Sequence, residues 1–89
     1  MSKREKRLQK IRQNPNNVSI DELAQVLKDY GIEYDHATGS HHIYRYTLNG
    51  QKLRLSIPYR KPIKAIYVKE SILVIDQIRA EQQEGESHE

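Results

Sequence analysis

The dipeptide Asn49-Gly50 constrains the fold of this chain more than any other feature of its sequence. Asn-Gly is the preferred pair for a two-residue type I′ turn, because both positions need a positive φ that these residues tolerate. Extended, β-prone runs flank the dipeptide over 41–48 and 51–57. The sequence therefore predicts that these two runs form an antiparallel β-hairpin.

The turn also determines which residues face each other. Leu48 lies opposite Gln51, and each further pair moves one residue outward along both strands. One face then carries an apolar and aromatic set: Tyr46 with Leu53, Tyr44 with Leu55, and His42 with Ile57. The other face carries a mostly basic set: His41, Ile43, Arg45 and Thr47 opposite Lys52, Arg54 and Ser56. The two neighbouring histidines are predicted on opposite sides, unless a bulge at the strand start exchanges them.

A capping box marks the start of a first helix. Ser2 is followed three residues later by Glu5, and residues 3–13 favour a helix by propensity. Only Leu8 and Ile11 offer apolar contact, and the Asn-Pro dipeptide that follows ends the helix because proline lacks an N–H. We therefore expect this polar helix to be an appendage.

A second capping box, Ser19 with Glu22, precedes a strongly amphipathic segment. Gly31 is placed to end this helix as a left-handed residue. Apolar residues recur at helical spacing and predict a core-facing stripe: Ile20, Leu23, Ala24, Leu27 and Tyr30.

The remaining segments complete an α+β fold. Ile32, Tyr34 and His36 alternate with acidic residues, which predicts a short strand with these three side chains on one side. Residues from Val68 to about Gln82 predict a closing helix, although the apolar run 72–75 suits a strand as well. The expected architecture is a three-stranded antiparallel sheet with two helices packed on one face, preceded by a basic helical extension.

Composition limits the classes of protein. A chain of 89 residues, 36 % of them hydrophobic, buries only a small core, which excludes a large enzyme with a deep cleft. Cysteine is absent from the sequence, so we expect neither disulfides nor a thiolate metal site. No apolar run approaches the roughly 18 residues of a membrane span, and no signal peptide is evident. A cytoplasmic protein without membrane contact is expected.

Charge is unevenly distributed along the chain. Six of the first twelve residues are Lys or Arg, whereas residues 81–89 carry four Glu and no basic residue. Exposed Lys and Arg gain free energy by displacing counterions from phosphates, so this layout favours a polyanionic partner. Three roles for the basic arm stay open: affinity for RNA, contact with a partner protein, or solvation alone.

His41 is the main candidate for chemistry. Cleaving RNA without a metal needs a base for the 2′-hydroxyl proton, an acid for the leaving oxygen, and cations around the phosphate. Histidine suits both proton roles near neutral pH. The predicted register places His41 on the same face as Arg45, Lys52 and Arg54. Before it, Gly39 and Ser40 allow close approach of a phosphate, and Ser40 can donate a hydrogen bond. The plainer interpretation is an exposed histidine without a partner.

Other candidates have stronger structural interpretations. His42 lies beside Ile57 on the apolar face, where a structural histidine is commoner than a catalyst, so it is the second candidate for catalysis. His36, His41 and His42 are a poor ligand set without cysteine or helical spacing, and we expect no metal. Tyrosines that share a face with leucines are expected in the core rather than stacked on bases.

The tetrapeptide Gly39-Ser40-His41-His42 opens directly into Ile43-Tyr44. Together with the capped helix, the hairpin, the Ile57-Pro58 strand end and the C-terminal helix, this block resembles the HicA toxins of bacterial and archaeal toxin–antitoxin pairs over residues 18–78. The resemblance implies a fold like the double-stranded-RNA-binding domain. It also implies an mRNA interferase, a ribonuclease inhibited by a HicB antitoxin, with His41 as the catalytic residue.

The charge pattern and the resemblance together predict three parts: a basic helical extension and linker (1–17), a HicA-like catalytic domain (18–80) and an acidic flexible tail (81–89). The implied partners are mRNA and a HicB-like antitoxin, with no cofactor. Many relatives have a histidine shortly after the strand-ending proline, where this chain has Tyr59-Arg60-Lys61. Two alternatives therefore stay open: a non-catalytic RNA-binding module of the same fold, and a toxin relative that has lost its activity.

Overall fold

The computed structural model describes residues 2–86, which form three helices and three strands. In chain order they are α1 (Lys3–Gln13), α2 (Ile20–Asp29), β1 (Glu33–Thr38), β2 (His41–Leu48), β3 (Gln51–Pro58) and α3 (Ala65–Glu86). The strands form one antiparallel sheet in the order β1-β2-β3. The predicted α+β architecture is confirmed. No helix in the described part of the chain is long and apolar enough to cross a membrane.

The β2-β3 hairpin has the geometry that its turn predicts. Asn49 and Gly50 have φ angles of 53° and 78°, which are the positive values of a type I′ turn. The register is the predicted one from the turn to the pair of His42 and Ile57. Three side chains of the helix-facing side are at most 3 % exposed and form the sheet's part of the core: Tyr44, Leu55 and Ile57.

Helix α2 begins and ends where its sequence predicts. The Ser19 hydroxyl accepts a hydrogen bond from the Glu22 N–H at 3.1 Å, and the Glu22 carboxylate accepts one from the Ser19 N–H at 3.5 Å. At the other end Gly31 has a φ of +82°, and the Ile32 N–H donates to the Leu27 carbonyl at 2.9 Å. This left-handed ending directs the chain from α2 into β1.

Helix α1 is part of the core, so the expectation of an appendage is wrong. Leu8 and Ile11 are only 2 % and 1 % exposed, and the helix packs against both α2 and α3. These two residues lie three positions apart and thus on one side of the helix. Val26, which the predicted stripe did not include, is also only 1 % exposed and belongs to the same core cluster as Ile11.

Within the described residues three ion pairs connect α1 to its neighbours, and the longest is that of Lys10 with Glu22 at 3.4 Å. Arg7 donates hydrogen bonds of 2.7 and 2.8 Å to Asp29, and Arg12 donates bonds of 3.1 and 2.8 Å to Asp76. The hydrogen bonds from the guanidinium groups lower the pKa of both carboxyl groups below the ordinary value. Three cations of the basic arm thus form ion pairs with the rest of the fold, a role that the charge pattern did not indicate.

Helix α3 is longer than predicted and is continuous. It begins at Ala65 and runs to Glu86, and Val74 and Ile75 are 7 % and 0 % exposed on its core side. The helical interpretation of 72–75 is therefore confirmed. Residues 81–86, expected in an acidic tail, are helical, and residues 87–89 of that tail lie outside the described part of the chain.

Strand β1 departs from simple alternation at one residue. Tyr34 pairs with Tyr44, but the next pair along the strand is His36 with Ile43, so Asp35 is an extra residue between them. Such a β-bulge moves the following side chains to the other side of the sheet. The prediction that Tyr34 and His36 share one side is therefore wrong.

Candidate functional site

The sheet has an open face, on the side away from the helices, which carries His41, Arg45 and Arg54. The bulge in β1 adds His36 to it. A shallow depression of about 360 Å³ lies on this face. All three strands contribute to its lining: His36, Thr38, His41, Ile43, Arg54 and Ser56. Two imidazoles and a guanidinium therefore surround one space large enough for a phosphate group.

His41 is the first residue of β2 and is exposed. It pairs with Thr38 on one side and Pro58 on the other. Gly39, two residues earlier, has a φ of +58°, which an L side chain rarely adopts. No other group lies within 4 Å of the place that a Cβ on Gly39 would occupy. His41 thus projects into the depression rather than beneath the helices, beside a turn that leaves room for a ligand.

A backbone hydrogen bond connects this turn to the loop after β3. The Tyr59 N–H donates to the Ser40 carbonyl at 2.6 Å. The bond holds the start of β2 against the end of β3, so the position of His41 depends on both strands. The Ser40 residue itself is exposed, and its hydrogen bond to a phosphate stays a prediction.

The three predicted cations of the open face differ in their surroundings. Arg45 donates to Glu33 at 3.2 Å and lies 3.7 Å from Asp35, so carboxylates compensate its charge. Arg54 lies directly opposite Arg45. Neither Arg54 nor Lys52 forms an ion pair with a side chain of residues 2–82, the part of the chain whose side chains are described. Arg54 and Lys52 are therefore the cations best placed to bind a phosphate.

His42 lies on the opposite side of the sheet, half-buried between two tyrosines. Its ring centroid is 5.7 Å from that of Tyr34 and 5.3 Å from that of Tyr59. Tyr44 is buried as expected, whereas Tyr34 and Tyr59 keep 53 % and 40 % of their surface exposed. The structure does not bring His42 into the depression that His41 lines.

His36 is a candidate that the sequence suggested only as a metal ligand. Its Nδ1 lies 3.0 Å from the Asp35 carboxylate, and 47 % of its side chain is exposed. The sole local sign of this arrangement is the neighbouring Asp-His pair. Its position beside His41 depends on the bulge, which has no clear signature in the sequence.

Within the described residues, no group of three or more His, Asp and Glu side chains is arranged to hold a metal ion. Comparisons of the chain with protein families, curated proteins and solved structures return no match. The geometry of the open face and the sequence block around His41 are therefore the features that indicate a function.

Proposed function

We propose that this chain is a metal-independent endoribonuclease that cleaves mRNA, the toxin of a HicA-like toxin–antitoxin pair. The observation that carries the proposal is the depression that His41 and Arg54 line together. A proton carrier next to a cation is what phosphodiester cleavage requires. The order α2-β1-β2-β3-α3, with the helices on one side of the sheet, supports a fold like the double-stranded-RNA-binding domain.

In the proposed mechanism the scissile phosphate lies in the depression against Arg54. Lys52 points to the same side two residues along β3 and binds a neighbouring phosphate. His41 then accepts the proton of the 2′-hydroxyl, whose oxygen attacks the phosphorus. Gly39 leaves space beside His41 for the ribose, and Arg45 has a smaller role because Glu33 compensates its charge.

The partner in this proposal is a HicB-like antitoxin, and the site of action is the cytoplasm. Support for both comes from the Gly-Ser-His-His-Ile-Tyr block alone. Co-expression with a HicB-like protein encoded beside this chain should restore growth that the chain alone arrests.

The direct test is to incubate purified protein with end-labelled RNA in EDTA. The wild type should produce discrete fragments, and His41→Ala should lose about a hundredfold or more of the cleavage rate, because one proton-transfer group supplies about that factor. Thr47→Ala is the matched control, since Thr47 is exposed on the same face but does not line the depression. Circular dichroism should show the same fold in all three proteins. Cleavage by His41→Ala at the wild-type rate would rule out the mechanism.

The same experiment distinguishes the non-catalytic RNA-binding module. Such a protein would retard RNA in a gel without producing fragments, using Lys52 and Arg54 on phosphates. One observation favours this alternative: Tyr59, in the stretch where many HicA toxins have a histidine, packs on His42 rather than reaching the depression.

A further inference from the structure

We infer that His36 is the second proton-transfer residue of the proposed nuclease and protonates the leaving oxygen while His41 acts as the base. The inference rests on the proposed function. Its structural basis is the bulge at Asp35, which brings a second imidazole into the depression that His41 and Arg54 line.

The two imidazoles are placed to reach the same phosphate. His36 pairs with Ile43, and Thr38 pairs with His41, so the two histidines are diagonal neighbours on adjacent strands. Diagonal neighbours of this kind have Cα atoms about 7–8 Å apart. That spacing leaves room for one phosphate with an imidazole at hydrogen-bond distance on each side.

Asp35 determines how His36 presents its ring. The Nδ1 atom lies 3.0 Å from the Asp35 carboxylate, so Nδ1 carries a proton and Nε2 is the atom left for the substrate. An imidazolium in this position makes a charge-assisted hydrogen bond to Asp35, which suits a proton donor. The same carboxylate lies 3.7 Å from Arg45, which holds it in place. Asp35 is therefore a positioning residue for His36.

The step balances without any further reactant. His41 accepts the 2′-hydroxyl proton, O2′ forms a bond to phosphorus, and the bond from phosphorus to O5′ breaks. His36 gives its Nε2 proton to O5′, so the products are a 2′,3′-cyclic phosphate and a 5′-hydroxyl. His41 ends protonated and His36 neutral, and proton exchange with water restores both. Arg54 stabilises the charge on the phosphate oxygens during the step.

The experiment compares two RNAs that differ at the bond cleaved by the wild type. The first is ordinary RNA. The second has sulfur in place of the bridging 5′ oxygen, and the thiolate that forms when this bond breaks leaves without receiving a proton. His36→Gln should cleave ordinary RNA about a hundredfold or more slowly than the wild type. It should cleave the sulfur-substituted RNA within about threefold of the wild-type rate. His41→Ala should be inactive on both RNAs.

A pH profile and two further variants complete the test. The wild-type rate on ordinary RNA should fall at high pH, where the acid is deprotonated, and His36→Gln should lose this alkaline limb. Asp35→Asn should lose about tenfold on ordinary RNA and little on the sulfur-substituted RNA. His42→Gln should show the same dependence of rate on pH as the wild type, because His42 faces the other side of the sheet.

Each contrary result has a defined meaning. Wild-type cleavage of ordinary RNA by His36→Gln would overturn the inference and leave the proposed function intact, provided that His41→Ala is inactive. Equal losses of His36→Gln on both RNAs would show a role in binding or folding and would also overturn it. A wild-type protein that cleaves neither RNA would overturn the proposed function and the inference together.

Discussion

The two faces of the sheet have the same backbone but different environments. On the covered face Tyr44, Leu55 and Ile57 are almost fully buried, whereas on the open face His41 and Arg54 are exposed. Successive residues of a strand point to opposite sides, so residues that stabilise the core alternate along β2 and β3 with residues that are candidates for binding or catalysis. Substitutions one position apart should therefore have very different consequences.

Charges follow the same division. On the helix side, Arg7 and Arg12 are neutralised by Asp29 and Asp76, which attach α1 to the layer that covers the sheet. On the open face Lys52 forms no ion pair with any described side chain, that is, within residues 2–82. Ion-paired cations on the helix side stabilise the fold, while Lys52 and Arg54 on the open face remain available to a polyanion.

The largest difference is expected between the neighbouring residues Ile57 and Ser56. Ile57→Ala should lower the free energy of unfolding by about 2–5 kcal/mol, because it removes buried methyl groups and leaves a cavity. Ser56→Ala, whose side chain is exposed on the open face, should change it by less than about 0.5 kcal/mol. Urea denaturation of both variants measures this contrast. Similar losses in the two would contradict the division between the faces.

A smaller effect is expected at the ion pair between Arg7 and Asp29. Arg7→Gln should lower the free energy of unfolding by much less than Ile57→Ala does, because 41 % of the Arg7 side chain is exposed and solvent screens its attraction to Asp29. The pKa of Asp29 is lower in the folded protein than its ordinary value of 3.8. The ion pair therefore contributes fully to the free energy of unfolding at pH values above 3.8, and this contribution is lost as the pH falls through the folded-state pKa.

Urea denaturation at pH 7 and at pH 3 measures this linkage. Stability of the wild type should fall more between the two pH values than stability of Arg7→Gln. Parallel losses in both proteins would show that the pair contributes nothing to the acid sensitivity.

The smallest effect on stability is expected at Arg54. Arg54→Ala should change the free energy of unfolding by less than about 0.5 kcal/mol, since the side chain is exposed and lies on the open face. It should nevertheless weaken binding of single-stranded RNA about fivefold at 0.1 M salt. The decrease of log K with log salt concentration should also become less steep, by about 0.7 in slope. Fluorescence anisotropy over a salt series measures both. An unchanged slope would mean that Arg54 does not contact a phosphate.

The local features of this fold were predictable from the sequence. The Asn49-Gly50 turn and the Ser19 cap depend on conformational preferences within a few residues, and both were found as predicted. The register of β2 on β3 follows directly from the turn, so the faces of His41 and Arg54 followed as well.

Features that depend on contacts between distant segments were not predictable in the same way. β1 joins β2 through the two-residue turn Gly39-Ser40, which closes on the pair of Thr38 with His41. This turn does not determine the register beyond the bulge at Asp35, and neither the bulge nor the ion pair of Glu33 with Arg45 had a local signal. Helix α1 has too few apolar residues to indicate burial, yet Leu8 and Ile11 enter the core because α2 and α3 present a matching surface. The candidate site was therefore predicted without His36.

The pairing of β1 also bears on how this strand tolerates insertion and deletion. Asp35 is the one residue between Tyr34 and His36 that has no partner in β2. A gene that lost the Asp35 codon would encode a regular strand in which every remaining side chain of β1 keeps its present side, whereas loss of a neighbouring codon would turn part of the strand over. In an alignment with a protein whose strand lacks the bulge, a gap placed at Asp35 would therefore align residues that lie on the same face of the sheet.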